Sequence, residues 1–133
     1  MTDRDTQELG TRRRREILGD EYVDANLAGA DELTRTFQEL VTLQVWGQAW
    51  AGSALDDRTR SLVTLGILSA LGRFDELEIY TKAAIRSGGS VDDIRDVLVH
   101  VTAYCGAPAG RQAFIAASRG LRAVGAISSA GGE

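Results

Sequence analysis

The sequence predicts an all-α, single-domain bundle of about six to seven helices, on three observations. There is one proline, Pro108, and no run of alternating β-branched residues, so apolar spacings of three and four dominate. Glycines divide those segments at helix-length intervals. The 133 residues allow one core, and hydrophobic residues at 44%, roughly 55% with the 15 glycines, exclude intrinsic disorder.

Taken in order, residues 1–30 form an N-terminal helical arm, 31–126 the main helical domain and 127–133 a flexible tail of small, polar residues. The arm carries Arg12, Arg13, Arg14 and Arg15, expected on a solvated helix face or at a subunit contact, and a short helix from Asp20 to about Ala28. Asp31 caps a longer helix through Phe37, Leu40, Val41, Gln44, Val45 and Gln48. Residues 51–55 are a loop, and Asp56 or Asp57 caps the next helix. Its stretch Leu62 to Leu71 is apolar on almost every side, which places it in the middle of a bundle, and Gly72 ends it. Phe74, Leu77, Thr81, Ala84 and Ile85 mark a fifth helix closed by Gly88-Gly89. Ser90 and Asp93 make a capping box for a sixth, whose packed face is Val91, Ile94, Leu98, Val101 and Cys105. Pro108 suits the first turn of a last helix, from about Ala109 to Val124.

Composition narrows the function. The net charge of −4 argues against nucleic acid as a partner. No segment approaches the ~20 apolar residues of a membrane span, and the polar start of the chain predicts no secretory signal, hence a cytoplasmic protein. A single cysteine, Cys105, excludes an intrachain disulfide, and its packed position predicts an inert thiol. A single histidine, His100, excludes most transition-metal sites, so neither metal nor cofactor is expected. The basic residues are 14 arginines and Lys82; genomic base composition accounts for such a bias, and so do carboxylate clamps, which favour guanidinium forks.

Two helical constellations can carry chemistry. Arg73, Glu76 and Tyr80 share a face, and Asp96 stands one turn before His100, where a carboxylate can hold one imidazole nitrogen. The same spacings also arise on solvated faces, and Tyr80 is equally compatible with a packed ring. Gln44 and Gln48 lie on an apolar face beside Trp46 and Trp50, so their amides are expected to line a cavity or bond across subunits.

The run Arg13-Arg14-Arg15-Glu16-Ile17-Leu18-Gly19-Asp20 resembles the opening of the carboxymuconolactone decarboxylase family. So do Phe37-Gln38-Glu39-Leu40, Trp46-Gly47-Gln48-Ala49-Trp50 and Leu55-Asp56-Asp57-Arg58-Thr59-Arg60-Ser61. The likeness continues through residues 70–76, 82–86 and 93–98 to Tyr104-Cys105-Gly106-Ala107-Pro108-Ala109. The resemblance implies an AhpD-like helical protomer, assembly into homotrimers or homohexamers, and cofactor-free removal of carbon dioxide from an unsaturated lactone acid. It makes Arg60 and Arg73 candidates for anion binding. The disulfide-reducing branch has Glu, CxxC and His at offsets that fall here on Asp96, Pro108, Arg111 and Ile115, which excludes that chemistry.

The same resemblance implies Glu where this chain has Gln48, His where it has Tyr80, and Gln where it has His100. An amide is not an acid or base near neutral pH, and a phenol of pKa about 10 is not a poised base. The expected reading is therefore a family enzyme turned to a tailoring reaction on a cyclic or polyketide-like small molecule, through an enolate: decarboxylation, dehydration, ring opening or isomerisation. Tyr80 and His100 are its catalytic candidates, with Arg60, Arg73, Gln48, Trp46, Gln44 and Glu76 around the substrate. The alternatives are an ordinary 4-carboxymuconolactone decarboxylase of aromatic-acid breakdown, or a non-catalytic binding protein on the same fold.

Overall fold

Residues 1–128, the part that the computed structural model describes, form seven α-helices, and no strand occurs among them. They divide into two compact units, Met1–Asp56 and a second beginning at Asp57. The division falls in the loop after Ala51. Most of the expected tail, residues 129–133, lies outside the described residues. Ile127 is an exception to the frayed end: it is partly buried against the second unit's core.

In the first unit, α1 (Asp3–Leu18) opens with a capping box. The Asp5 amide donates to Thr2 Oγ1 and the Thr2 amide to Asp5 Oδ2, both at 3.1 Å. The arginine run that follows is not simply a solvated face. Arg14 is buried, Arg13 donates to Glu16 at 2.6 Å and to the Trp50 carbonyl at 3.1 Å, and Arg15 bridges Asp20 and Asp24 at 3.0 and 2.8 Å. These are the fork-shaped clamps for which arginine is suited, and they tie α1 to α2 (Asp20–Ala28) and to the chain near Trp50.

Asp31 caps as expected: its carboxylate accepts from the Thr34 amide at 2.8 Å, and Thr34 Oγ1 accepts from the Asp31 amide at 2.9 Å. The helix behind it is shorter than its periodicity suggests. α3 spans Thr34–Val41, a π-helical turn follows over Thr42–Trp46 and a 3-10 turn over Ala49–Ala51. The reason is contact between backbones. A Cβ on Gly10 would lie 2.0 Å from the Thr42 carbonyl oxygen, so α1 and the π turn meet main chain to main chain. Trp46 and Trp50 are buried and stacked, with centroids 5.2 Å apart, while Gln44 and Gln48 are exposed. The demand that buried amides find partners therefore does not arise for them within the protomer.

The second unit holds α4 (Asp57–Leu71), α5 (Phe74–Arg86), α6 (Val91–Cys105) and α7 (Ala107–Ala123). Its core is Leu65, Leu77, Ala84, Ile94, Leu98, Ala113, Ala116, Ala117 and Leu121. Leu121 apart, the buried face of α7 is made of small residues, so α5 and α6 approach it closely. A Cβ on Gly120 would sit 2.6 Å from the Glu78 carbonyl oxygen, and one on Gly110 only 2.1 Å from Thr102 Oγ1. The capping box of Ser90 and Asp93 forms as expected, with bonds of 3.0 and 2.9 Å.

Two expectations are corrected here. α4 is not enclosed: Ser61, Leu65 and Ser69 are buried, but Val63, Ile67 and Leu71 are 48%, 53% and 63% exposed. Its all-round apolarity exceeds what the protomer covers. Cys105 is exposed, not packed, because α6 ends there and Gly106, at φ 97°, turns the chain away.

Two substitutions test this packing by urea unfolding. Gly120→Ala drives a methyl group into the α5 backbone and should cost about 1 to 3 kcal/mol. Ser90→Ala removes the cap of α6 and should cost about 1 kcal/mol.

Candidate functional site

In the second unit, α4 and α6 border an open groove of about 960 Å³. The α4 wall is Thr59, Leu62, Val63 and Gly66. The α6 wall runs from Asp92 and Asp93 through Arg95, Asp96 and Val99 to His100, Tyr104 and Cys105. One flank is thus largely apolar, and the other carries every ionisable group of the lining. The periodicity of α6 produces this division. Ile94, Leu98 and Val101 turn into the core, so residues offset from them, including Asp96, His100 and Tyr104, face outward.

The charges near the start of α6 are mutually satisfied. Arg58, at the beginning of α4, grips Asp93 with both arms of its guanidinium, Nε to Oδ2 at 3.0 Å and Nη2 to Oδ1 at 2.5 Å. That fork and the Ser90 amide hold the Asp93 carboxyl below its ordinary value. Arg95 is likewise bonded to Asp92. At the far end, no side-chain hydrogen bond joins the Asp96 carboxylate to the His100 ring among the described residues. The imidazole instead leans on the Tyr104 ring, with centroids 4.7 Å apart and planes at 44°.

The candidates from the sequence are distributed as follows. His100 is exposed in the groove. Tyr80 is half-buried on α5 against the core and does not line that groove. Arg60 is half-buried on α4, while Arg73 and Glu76 are exposed at the start of α5. Gln44, Trp46 and Gln48 belong to the first unit. Sequence reasoning passed over Tyr104, although its signal was present: it stands four residues after His100, one turn along the same helix face. Among the described residues no group of three or more His, Cys, Asp or Glu side chains is placed to hold a metal ion. No helix there is long and apolar enough to cross a membrane.

The chain's relatives define it as a lyase-type enzyme built from helices. Residues 35–119 match the carboxymuconolactone decarboxylase family, and the chain belongs to that family. It is 34% identical over 113 residues to the 4-carboxymuconolactone decarboxylase of Acinetobacter baylyi, spanning 85% of this chain and 84% of that protein. To the nitrosuccinic acid decarboxylase of Metarhizium robertsii it is 39% identical over 106 residues, 80% of this chain and 74% of that protein. The molecule is accordingly a decarboxylase-type enzyme.

The Arg58–Asp93 fork makes a prediction about acid. A carboxyl whose value is depressed by folding stabilises the fold above its unfolded value, 3.8, and loses that contribution as pH falls through the folded value. Asp93→Asn should therefore lower the urea midpoint at neutral pH, and the gap to the parent protein should close as the pH is taken below 3.8. A gap that persists undiminished in acid would show that the ionised carboxylate contributes nothing.

Proposed function

We propose that this enzyme decarboxylates a small acid whose carboxylate-bearing carbon is attached to an electron-accepting group, directly or through a double bond, and that it does so without a cofactor. The observation that carries the reading is His100, an exposed imidazole in a groove whose opposite wall is largely apolar. In such a reaction the bond to the carboxylate breaks and its electron pair moves into the acceptor, giving an enolate or a nitronate. A proton then quenches that anion. An apolar wall favours loss of the carboxylate's charge, and His100 supplies the proton.

The relatives' names support this chemistry. A muconolactone places an unsaturated ester, and nitrosuccinic acid a nitro group, where the departing electron pair can be received. Both relatives are named decarboxylases, which favours carbon dioxide loss over the dehydration, ring opening or isomerisation that the same enolate permits. Gln48 and Tyr80, where the family resemblance implies Glu and His, support a substrate other than 4-carboxymuconolactone, such as a tailored cyclic acid. Tyr80, Arg60 and Arg73 do not line the groove of their own protomer; in a site shared between protomers Tyr80 would serve as hydrogen-bond donor to the acceptor oxygen, and Arg60 and Arg73 as anion partners. The 34% identity over most of the chain supports the second reading, decarboxylation of 4-carboxymuconolactone itself.

The apolar outer face of α4 outside the groove, Ile67 and Leu71, supports a homotrimer or a hexamer built from trimers. Light scattering after gel filtration should give a multiple of 14.3 kDa, and a clean monomer at micromolar concentration would refute the assembly.

Carbon dioxide release from 4-carboxymuconolactone, nitrosuccinate and related cyclic acids tests the reaction. His100→Gln should lower turnover on the preferred acid by roughly 10² to 10⁴ with an unchanged melting temperature, the usual loss for a general acid. Full activity in that variant would remove His100 from the mechanism. Activity should also survive prolonged chelation; loss restored by one divalent metal would overturn the cofactor-free reading.

A further inference from the structure

Gly10, Gly66, Gly110 and Gly120 stand inside α-helices, where glycine lowers the folding equilibrium roughly 2- to 5-fold relative to alanine. Packing accounts for three of them. A Cβ on Gly10, Gly110 or Gly120 would lie no more than 2.6 Å from an atom of a neighbouring segment. Gly66 is different: a Cβ there would meet nothing within 4 Å. Backbone conformation does not account for it either, since Gly66 lies in mid-helix and has no positive φ.

What adjoins Gly66 is the groove. It is the last α4 residue of the lining, after Thr59, Leu62 and Val63, and that wall presents no charged side chain. The Arg58–Asp93 fork joins the two helices near their first turns. From there the walls run on, that of α4 to Gly66 and that of α6 to His100, Tyr104 and Cys105. Gly66 and His100 therefore stand at the same end. A residue without a side chain leaves the helix backbone bare at this point, and a flat molecule can come closer to it than to any other residue type.

We propose, resting on the decarboxylase reading of the groove, that Gly66 is a specificity-determining residue that selects a ring-bearing acid over an open-chain one. The apolar face of the ring lies on α4 at Gly66, beside Leu62 and Val63, and its carboxylate-bearing side is turned toward α6. A flat ring gains from the bared apolar wall, because it has a broad apolar surface to bury there. An open-chain acid such as nitrosuccinate carries polar groups along its length and gains little. The helix thus gives up stability at Gly66 for room in the groove.

Gly66→Ala and Gly66→Leu test this with carbon dioxide release from 4-carboxymuconolactone, a ring acid, and from nitrosuccinate. Gly66→Ala should raise the urea midpoint, since the chain becomes stiffer and nothing in the protomer clashes. It should nevertheless lower kcat/KM for the ring acid by roughly 10- to 200-fold, the usual weight of one methyl group in a fitted pocket. Gly66→Leu should lose more, and the losses on nitrosuccinate should be several-fold smaller. Unchanged kcat/KM on the ring acid, equal losses on both acids, or a parent protein active on nitrosuccinate alone would overturn the assignment. So would dissociation of the assembly in Gly66→Ala seen by light scattering, the mark of a glycine kept for a subunit contact. If the parent releases carbon dioxide from neither acid, the proposed reaction fails by itself and binding decides the role of Gly66. Benzoate, a flat ring acid, should then shift the NMR signals of the single histidine at fixed pH in the parent protein, and need at least about 10-fold more ligand in Gly66→Ala. No shift in the parent, or equal shifts in both, would refute the role.

Discussion

The second unit depends on how closely α7 lets its neighbours approach. Apart from Leu121 at its end, the buried face of α7 is Gly110, Ala113, Ala116, Ala117 and Gly120, with almost no side-chain bulk, so there the neighbouring helices meet its backbone and Cβ atoms. Gly120 meets the main chain of α5 at Glu78, and Gly110 meets Thr102 on α6. With α6 drawn in on that side, Ile94, Leu98 and Val101 fill the core and the opposite face of the helix is left for Asp96, His100 and Tyr104. The groove is thus a consequence of small residues on a helix that contributes nothing to its lining.

Features set by neighbours in sequence were legible from it. Ser90 with Asp93, Asp31 with Thr34, Gly72 after Leu71 and Pro108 in the first turn of α7 each concern groups within a few residues, and each appears where the residue types require. Features that depend on distant partners were not. Periodicity shows that Leu62 to Leu71 is apolar all round, but not whether its own chain covers both faces, and here it covers one. The burial of Arg14 was equally hidden, because four consecutive arginines read as solvated until the rest of the first unit is folded around them. Cys105 continued the step of a packed face past the point where α6 stops.

The candidate site divides in the same way. His100 and Asp96 were visible by spacing on one helix, and the groove contains both. Their direct hydrogen bond was a fair inference from spacing alone, yet the imidazole takes the aromatic neighbour on its other side. Tyr80 was singled out by its spacing with Arg73 and Glu76 and then by correspondence with a family; within the protomer its ring is half-buried on the core. Correspondence carries over a position in the chain, whereas surroundings follow from packing, and a single protomer displays only part of that packing.

The π-helical turn over Thr42–Trp46, closed by the Gly47 amide on the Thr42 carbonyl at 2.9 Å, has a genetic consequence. A π turn holds one residue more than the α-helix it interrupts. Loss of a single codon within it would restore an ordinary helix without breaking the chain, but each residue beyond would rotate by about 100°. Trp46 and Trp50 would both swing out of their buried positions, and Gly47 from its place against Thr6 on α1. The length of this segment is therefore more tightly constrained than its composition, and substitutions should accumulate here in evolution where insertions and deletions do not.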